Sequence, residues 1–328
     1  MKKKILFVAP LFLCFYSAFS QNSNYVKALE TGYKGGVIKD LQTVKKSLAF
    51  CVIGDWGRYG EFYQKAVAEQ MSNAVVGVDA TMILSTGDNF YPKGVKSEHD
   101  PIWQQSFENV YNTLPLHEDW FVSLGNHDYK TNPDAEVAYS NISARWHMPS
   151  RYFNFVKKID GDSTKTIEFF FIDSSPFQQD YYTNDDYSAN IKATDTVAQK
   201  KWLTEALGKS KAIWKIVVGH HPLYSAGKRK GKTQDMEKAF KDLFEKYKVD
   251  AYFCGHEHHL EYDEPEGLHF KQFISGAGSE ATGVSEAPYA KFAQQQFGFL
   301  TANVTAKEML VQFISWEGRV LYTTVLKK

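Results

Sequence analysis

Cys254-Gly255-His256-Glu257-His258-His259 follows directly on the run Asp250-Ala251-Tyr252-Phe253, and its reading decides the fold. A strand that ends at Gly255 would carry His256 and His258, two residues apart, out of the mouth of a sheet. Alternating ligands leaving a strand end can reach two neighbouring metal ions.

The same grammar recurs upstream. Leu48 to Ile53 is a continuous apolar run followed by Gly54-Asp55-Trp56-Gly57-Arg58, and Thr81 to Thr86 is followed by Gly87-Asp88-Asn89-Phe90-Tyr91. Trp120 to Leu124 leads into Gly125-Asn126-His127-Asp128, and Ile213 to Val218 into Gly219-His220-His221-Pro222. Acids and imidazoles just beyond buried strands lie at the carboxyl end of a sheet, where α/β proteins place ligands. Singly, each has an ordinary explanation, such as a turn aspartate that binds its own backbone or a core histidine. Together they do not, and Asp55, Asp88, Tyr91, Asn126, His220, His256 and His258 form one candidate donor set. The glycines fit the sharp turn out of each strand.

Between these strands the spacing predicts helices. Glu61 to Val76 places Phe62, Val67, Met71, Ala74 and Val75 on one face, read as core packing, and further helices are expected over Val197 to Leu207 and Asp235 to Tyr247. Another apolar run, Ile167 to Ile172, ends in Asp173. Ser174 to Thr196 is polar and Tyr-rich, long for a structureless connection, and reads as a lid or exposed insertion. Lys228, Arg229, Lys230 and Lys232 read as a solvated loop. Beyond His259 the chain turns to strands, at Phe270 to Ile274, Phe297 to Val304, Met309 to Trp316 and Val320 to Leu326, the last two joined by the hairpin signal Glu317-Gly318-Arg319. The class is α/β, with stacked sheets and helices outside.

Residues 1–20 have a basic opening, an apolar core from Ile5 to Phe19 and small residues at Ala18 and Ser20. This is the layout of a signal peptide, and the apolar stretch is short for a membrane span; an uncleaved anchor is the alternative. The expected organisation is a signal peptide over 1–20, a lead-in segment over 21–47 and a single catalytic domain over 48–328. An exported protein, periplasmic or extracellular, follows, with no stable membrane insertion after cleavage. Removing residues 1–20 takes away three lysines and no acid from a chain with 38 basic and 38 acidic residues, leaving a slightly acidic protein with no nucleic-acid surface. Cys51 and Cys254 lie in apolar runs and read as buried free thiols, with a bridge between them as the alternative. Asn141-Ile142-Ser143 and Asn303-Val304-Thr305 are glycosylation acceptors where the host glycosylates such sites.

With these five motifs on the page and in this order, the sequence resembles the calcineurin-like metallophosphoesterases, and within them the small purple acid phosphatases of the tartrate-resistant type. The resemblance runs from about Leu48 to the end. It implies a sandwich of two stacked mixed β-sheets flanked by helices. Most metallophosphoesterases begin with Asp-x-His, whereas position 57 here is Gly57 and Tyr91 is available instead. In purple acid phosphatases a tyrosine at that place binds ferric iron, and a hard Fe(III) ion favours anionic oxygen donors. The resemblance assigns Asp55, Tyr91 and His258 to Fe(III), Asn126, His220 and His256 to a second, divalent metal (Fe, Zn or Mn), and Asp88 to the bridge.

The implied activity is that of an acid phosphatase acting on small phosphorylated substrates, in which a metal-bound hydroxide attacks a phosphate monoester. His127 is the candidate for assisting the leaving group, with Asp128 orienting its ring. The chain departs from the family in having no second non-ligand histidine after His220. His221, or the cations from Lys228 to Lys232, are candidates to replace it, and Arg58 is a further candidate phosphate contact. Two other readings stand beside this one: a phosphodiesterase, nucleotide or pyrophosphate hydrolase using the same metals, and a non-catalytic protein that binds phosphate or metal.

Overall fold

The computed structural model describes residue 36 and residues 38–328. The expected signal peptide and most of the lead-in segment lie outside the described residues. The strands are β1 (Leu48–Ile53), β2 (Met82–Ser85), β3 (Asp119–Val122), β4 (Trp146–His147), β5 (Phe153–Ile159), β6 (Asp162–Phe171), β7 (Trp214–Val218), β8 (Ala251–Cys254), β9 (Leu260–Asp263), β10 (Lys271–Ser275), β11 (Ala290–Gln294), β12 (Gly298–Val304), β13 (Glu308–Ser315) and β14 (Val320–Lys327). They form two seven-stranded sheets, ordered β14-β13-β12-β1-β2-β3-β4 and β11-β9-β10-β8-β7-β6-β5. Both are mixed. β1 to β4 run parallel while β12 joins β1 antiparallel; β6, β7, β8 and β10 run parallel, β5 and β9 run against them, and β11 pairs antiparallel with β9.

Strands covered on both faces need apolar residues at every position, which is why the runs are continuous rather than alternating. In β8, Ala251 and Phe253 face the inter-sheet core, whereas Tyr252 and Cys254 face a second core beneath the helices. Phe50 of β1 crosses the gap to meet Phe169 and Phe253 edge-on, with ring centroids 5.3 and 5.9 Å away. Truncating such a fully buried ring to Ala costs about 3–5 kcal/mol.

Helix α1 (Gln64–Val78) lies on β1 and β12, with Val67, Ala68, Met71, Ala74, Val75 and Val78 buried. Phe62 corrects the sequence reading: it precedes the helix in left-handed backbone and is 62% exposed. Helix α2 (Thr196–Lys209) starts at Asp195, whose carboxylate accepts the N–H groups of Val197 and Ala198 at 2.9 Å. Leu203 and Leu207 from α2 join Phe244 of α3 (Asp242–Tyr247) and Phe240, from the π turn Glu237–Lys241 before it, on the outer face of the second sheet.

Both cysteines are buried and free. Phe50 faces the inter-sheet core, so its neighbour Cys51 points out of the other face of the first sheet, while Cys254 points out of the second sheet toward the helices. Two sheet layers part them, which excludes the bridge. Asn303 is also removed as a glycan acceptor: it is fully buried in β12 and donates to Ser47 Oγ at 3.0 Å, whereas Asn141 is exposed.

Candidate metal centre

The carboxyl ends of β1, β2 and β3 in one sheet and of β7 and β8 in the other open onto the same edge. Asp55, Asp88, Asn126, His220 and His256 leave these ends. Asp55, Asp88 and His256 sit in left-handed backbone, with φ of 58°, 50° and 70°. For non-glycine residues this costs about 1–2 kcal/mol each and turns a side chain sharply back over a strand end. Backbone bonds hold the turns: Asp55 N–H donates to Gly87 O at 3.0 Å and Gly255 N–H to His220 O at 2.9 Å. Glycine is obligatory where loops touch. A Cβ on Gly57 would lie 1.8 Å from Asn89 O, and one on Gly255 would lie 2.4 Å from Asp55 Oδ2. No histidine can stand at position 57, and Tyr91 fills that side of the site.

Tyr91 is the hub of one half. Its phenol oxygen lies 3.0 Å from Asp55 Oδ1, 2.9 Å from Asp88 Oδ2 and 3.2 Å from His258 Nε2. Burial and the charges of Asp55 and Asp88 hold this phenol far above its ordinary pKa, with Arg58 opposing them. Burial alone would lower His258, but Asp55 and Glu280 overcome it and push the ring up to about 9. The protein therefore concentrates negative charge where Nε2 of His258 points.

His220 is the hub of the other half. Its Nδ1 lies 2.9 Å from Thr86 O, and since a carbonyl only accepts, Nδ1 bears the hydrogen. Its Nε2, left with a lone pair, lies 3.1 Å from Asn126 Oδ1, 3.1 Å from His256 Nδ1 and 3.5 Å from Asp88 Oδ1. The Asn126 amide donates to Tyr187 Oη at 3.2 Å, which turns its oxygen inward. Burial, then His221, Arg229 and the other imidazoles, lowers His256 well below its ordinary pKa, so its ring is neutral with one nitrogen free to bind a metal, while Asn126 Oδ1 and His220 Nε2 face each other as two acceptors. Lone pairs meeting lone pairs in a buried site call for a cation. Both halves fit one, and Asp88 reaches each: Oδ2 toward Tyr91, Oδ1 toward His220. His220 and His127 hold Asp88 ionised against its burial.

All seven predicted donors thus converge, with Asp88 between the two groups. His127 stands beside them, its ring 4.4 Å from that of Tyr91. Its Nδ1 donates to Pro92 O at 2.6 Å, which leaves Nε2 as the nitrogen able to serve a substrate.

Three assignments are corrected. Asp128 does not orient His127; its carboxylate accepts the N–H groups of Gly125, Asn89 and Phe90 at 2.8 to 3.1 Å and ties the two ligand loops together. Burial and the Asp88 charge push Asp128 up to about 8, and Glu136, hydrogen-bonded to it, is raised as well. Arg58 is no open phosphate anchor: Nη2 donates to Glu280 at 2.5 Å and Nε to Ser279 Oγ at 3.1 Å. His221 is buried with both nitrogens engaged, Nδ1 with Ser174 Oγ at 2.9 Å and Nε2 with Tyr181 Oη at 3.0 Å. Of the basic run, Arg229 comes inward, bonding the buried Glu257 at 3.1 Å and acting on His221, His256 and Tyr181 through its charge.

The sequence reading missed Glu280, Tyr181 and Tyr187. Glu280 follows β10 in Gly276-Ala277-Gly278-Ser279-Glu280, a sixth strand end with the glycine-then-acid pattern, and it accepts from His258 Nδ1 at 3.2 Å. Tyr181 and Tyr187 stack on each other at 4.3 Å within the segment read as a lid, and cover the His220 side.

The pattern of the family described as "Calcineurin-like phosphoesterase" matches residues 48–260. Purple acid phosphatase 17 of Arabidopsis thaliana is 34% identical over 97% of this chain and 93% of its own length. The chain belongs to the purple acid phosphatases of the calcineurin-like phosphoesterase family. Tartrate-resistant acid phosphatase type 5 of Sus scrofa is 33% identical over 86% of this chain and 87% of that protein. Among solved structures, GAP50, the anchor in the inner membrane complex of Plasmodium, superposes with a TM-score of 0.75 at 25% identity, covering 86% of this chain and 89% of that one. The purple acid phosphatase PPD1 from yellow lupin seeds shares the fold, with a TM-score of 0.59 at 14% identity, covering 87% of this chain and 54% of that one. For a purple acid phosphatase a binuclear metal centre is implied, and the donors of this chain suit it. Among the described residues, no helix is long and apolar enough to cross a membrane.

Proposed function

We propose that the chain is a binuclear-metal acid phosphatase that hydrolyses phosphate monoesters. The observation that carries this reading is the pair of donor groups centred on Tyr91 and His220 and joined by Asp88. Asp55, Tyr91 and His258 would hold Fe(III), and Asn126, His220 and His256 the divalent ion, for which the ligand types suit Fe, Zn and Mn alike. Two such cations would neutralise and orient a phosphate and activate water as the nucleophile.

The chain's own groups do the rest. Asp128 keeps the Asp88 and Asn126 loops in fixed register by taking three backbone N–H groups, and Tyr187 fixes the Asn126 amide. His127, held by Pro92 O and by its own backbone N–H to Asp88 at 2.7 Å, turns Nε2 toward the departing alkoxide and in its imidazolium form, which burial opposes and the Asp88 charge favours, gives it a proton. Arg229 supplies positive charge at the rim on the His256 side, in the part of the site where a second histidine is absent.

Export is part of the proposal: the mature chain begins near Gln21, which N-terminal sequencing of secreted protein would read directly. The likeness to an anchoring protein makes turnover the quantity to measure. Hydrolysis of p-nitrophenyl phosphate and of bis-p-nitrophenyl phosphate is compared in the metal-loaded parent and in Asp88→Asn. Monoester turnover that exceeds diester turnover and collapses in the variant supports the reading; diester preference shifts it to the phosphodiesterase alternative, and no turnover in either protein rejects it.

A further inference from the structure

Each of the three residues assigned to the ferric side is touched by one short cluster that is not itself a ligand. Arg58 lays its guanidinium carbon 3.7 Å from the centre of the Tyr91 ring. Its Nη2 donates to Glu280 Oε2 at 2.5 Å, and the same Oε2 accepts from His258 Nδ1 at 3.2 Å. Its Nε donates to Ser279 Oγ at 3.1 Å, and Ser279 Oγ donates to the backbone oxygen of Asp55 at 2.7 Å. The Arg58 side chain is 18% exposed and that of His258 17%, so the contacts are partly shielded from water.

We propose that Arg58 and Glu280 act as a positioning pair that sets the electron-donating strength of the ferric ligands, Arg58 through Tyr91 and Glu280 through His258. The inference rests on the proposed function, in which Tyr91 and His258 hold iron. A carboxylate on the distal N–H of a ligating histidine strengthens the ring as a donor and stabilises the higher oxidation state. A guanidinium over the face of a phenolate draws on the same electrons that the oxygen gives to the metal. The two effects oppose each other, and the ion pair between the groups balances them. Among the described residues, no carboxylate backs His220 in this way: its Nδ1 donates to a neutral carbonyl, Thr86 O.

The opposition supplies a test that a merely structural pair would fail. The iron-loaded parent, Arg58→Met, Glu280→Gln and the double variant are compared by visible spectrum and by the Fe(III)/Fe(II) midpoint potential. Losing the carboxylate raises the potential, losing the cation lowers it, and the double variant returns toward the parent. Each single shift is expected near a tenfold change in the ratio of ferric to ferrous affinity, about 59 mV for one electron. Arg58→Gln and Glu280→Ala replace any variant that does not fold and read the same signs. A purple parent whose single variants leave the potential unmoved, or move it in the same direction, overturns the pair alone. An iron-loaded parent without the tyrosinate band overturns the reading beneath it, and the pair with it.

Discussion

Replacing Gly57 with Ala tests whether the ligand loops are held as tightly as their contacts indicate. Gly57 does not use left-handed backbone, so Ala adds no conformational strain and only the methyl group is at issue. That methyl would lie 1.8 Å from Asn89 O and 2.7 Å from its carbonyl carbon. Ordinary contact starts near 3.4 Å, so the Asp55 and Asp88 loops must part by about 1.6 Å, or about 0.8 Å each if both move, displacements on the scale at which catalytic rates fall about 100-fold. The packing cost should be about 1–3 kcal/mol, and at about 2 °C per kcal/mol the melting temperature should drop by about 2–6 °C. The assay is steady-state hydrolysis of p-nitrophenyl phosphate beside circular-dichroism melts, with Gly283→Ala as control because only Gln295 Oε1, 3.8 Å away, lies near its added carbon. A Gly57→Ala protein within threefold of the parent in kcat/KM would refute the claim that the two loops interlock here.

Three further outcomes are expected. Burial pushes Asp173 up to about 7, its hydrogen bond from Tyr129 and the Arg151 charge opposing the shift. A raised carboxyl contributes stability that is complete below its unfolded value near 4 and is lost as pH rises through about 7; the unfolding free energy of the parent from urea titrations should therefore fall over that window by a few kcal/mol at most, and less in Asp173→Asn. Tyr187→Phe removes the oxygen that accepts from Asn126, so divalent-metal affinity measured by chelator competition should weaken about 10-fold while the visible band stays in place. Cys51 and Cys254, with thiols raised by burial, should resist a thiol reagent in native protein and both react after denaturation, as counted by mass.

The donors were legible because each follows a continuous apolar strand and a glycine. Where both faces of a strand are covered, the run itself marks it, as in β1, β7 and β8. Strands without that signal were not read: β9 carries buried Glu261 and Asp263, and β5 alternates exposed and covered positions at a sheet edge. Phe62 was misplaced because periodicity cannot see the left-handed turn from Tyr59 to Tyr63 that starts α1 late. The roles of Asp128 and Arg58 depend on which loop lies opposite, and nothing in their local sequence encodes that. Tyr181 reaches the site from a connection remote in sequence, by tertiary contacts alone, whereas Glu280 follows β10 at a strand end whose glycine-then-acid signal went unread.

The most direct test of the account is the visible spectrum of purified, iron-loaded protein together with its metal content and that of Tyr91→Phe. Two metal ions per chain and a broad tyrosinate-to-iron absorption in the parent, lost in the variant, are the predicted result. A metal-replete, active and colourless parent would contradict it, placing Tyr91 outside the iron shell and a different metal pair in the site.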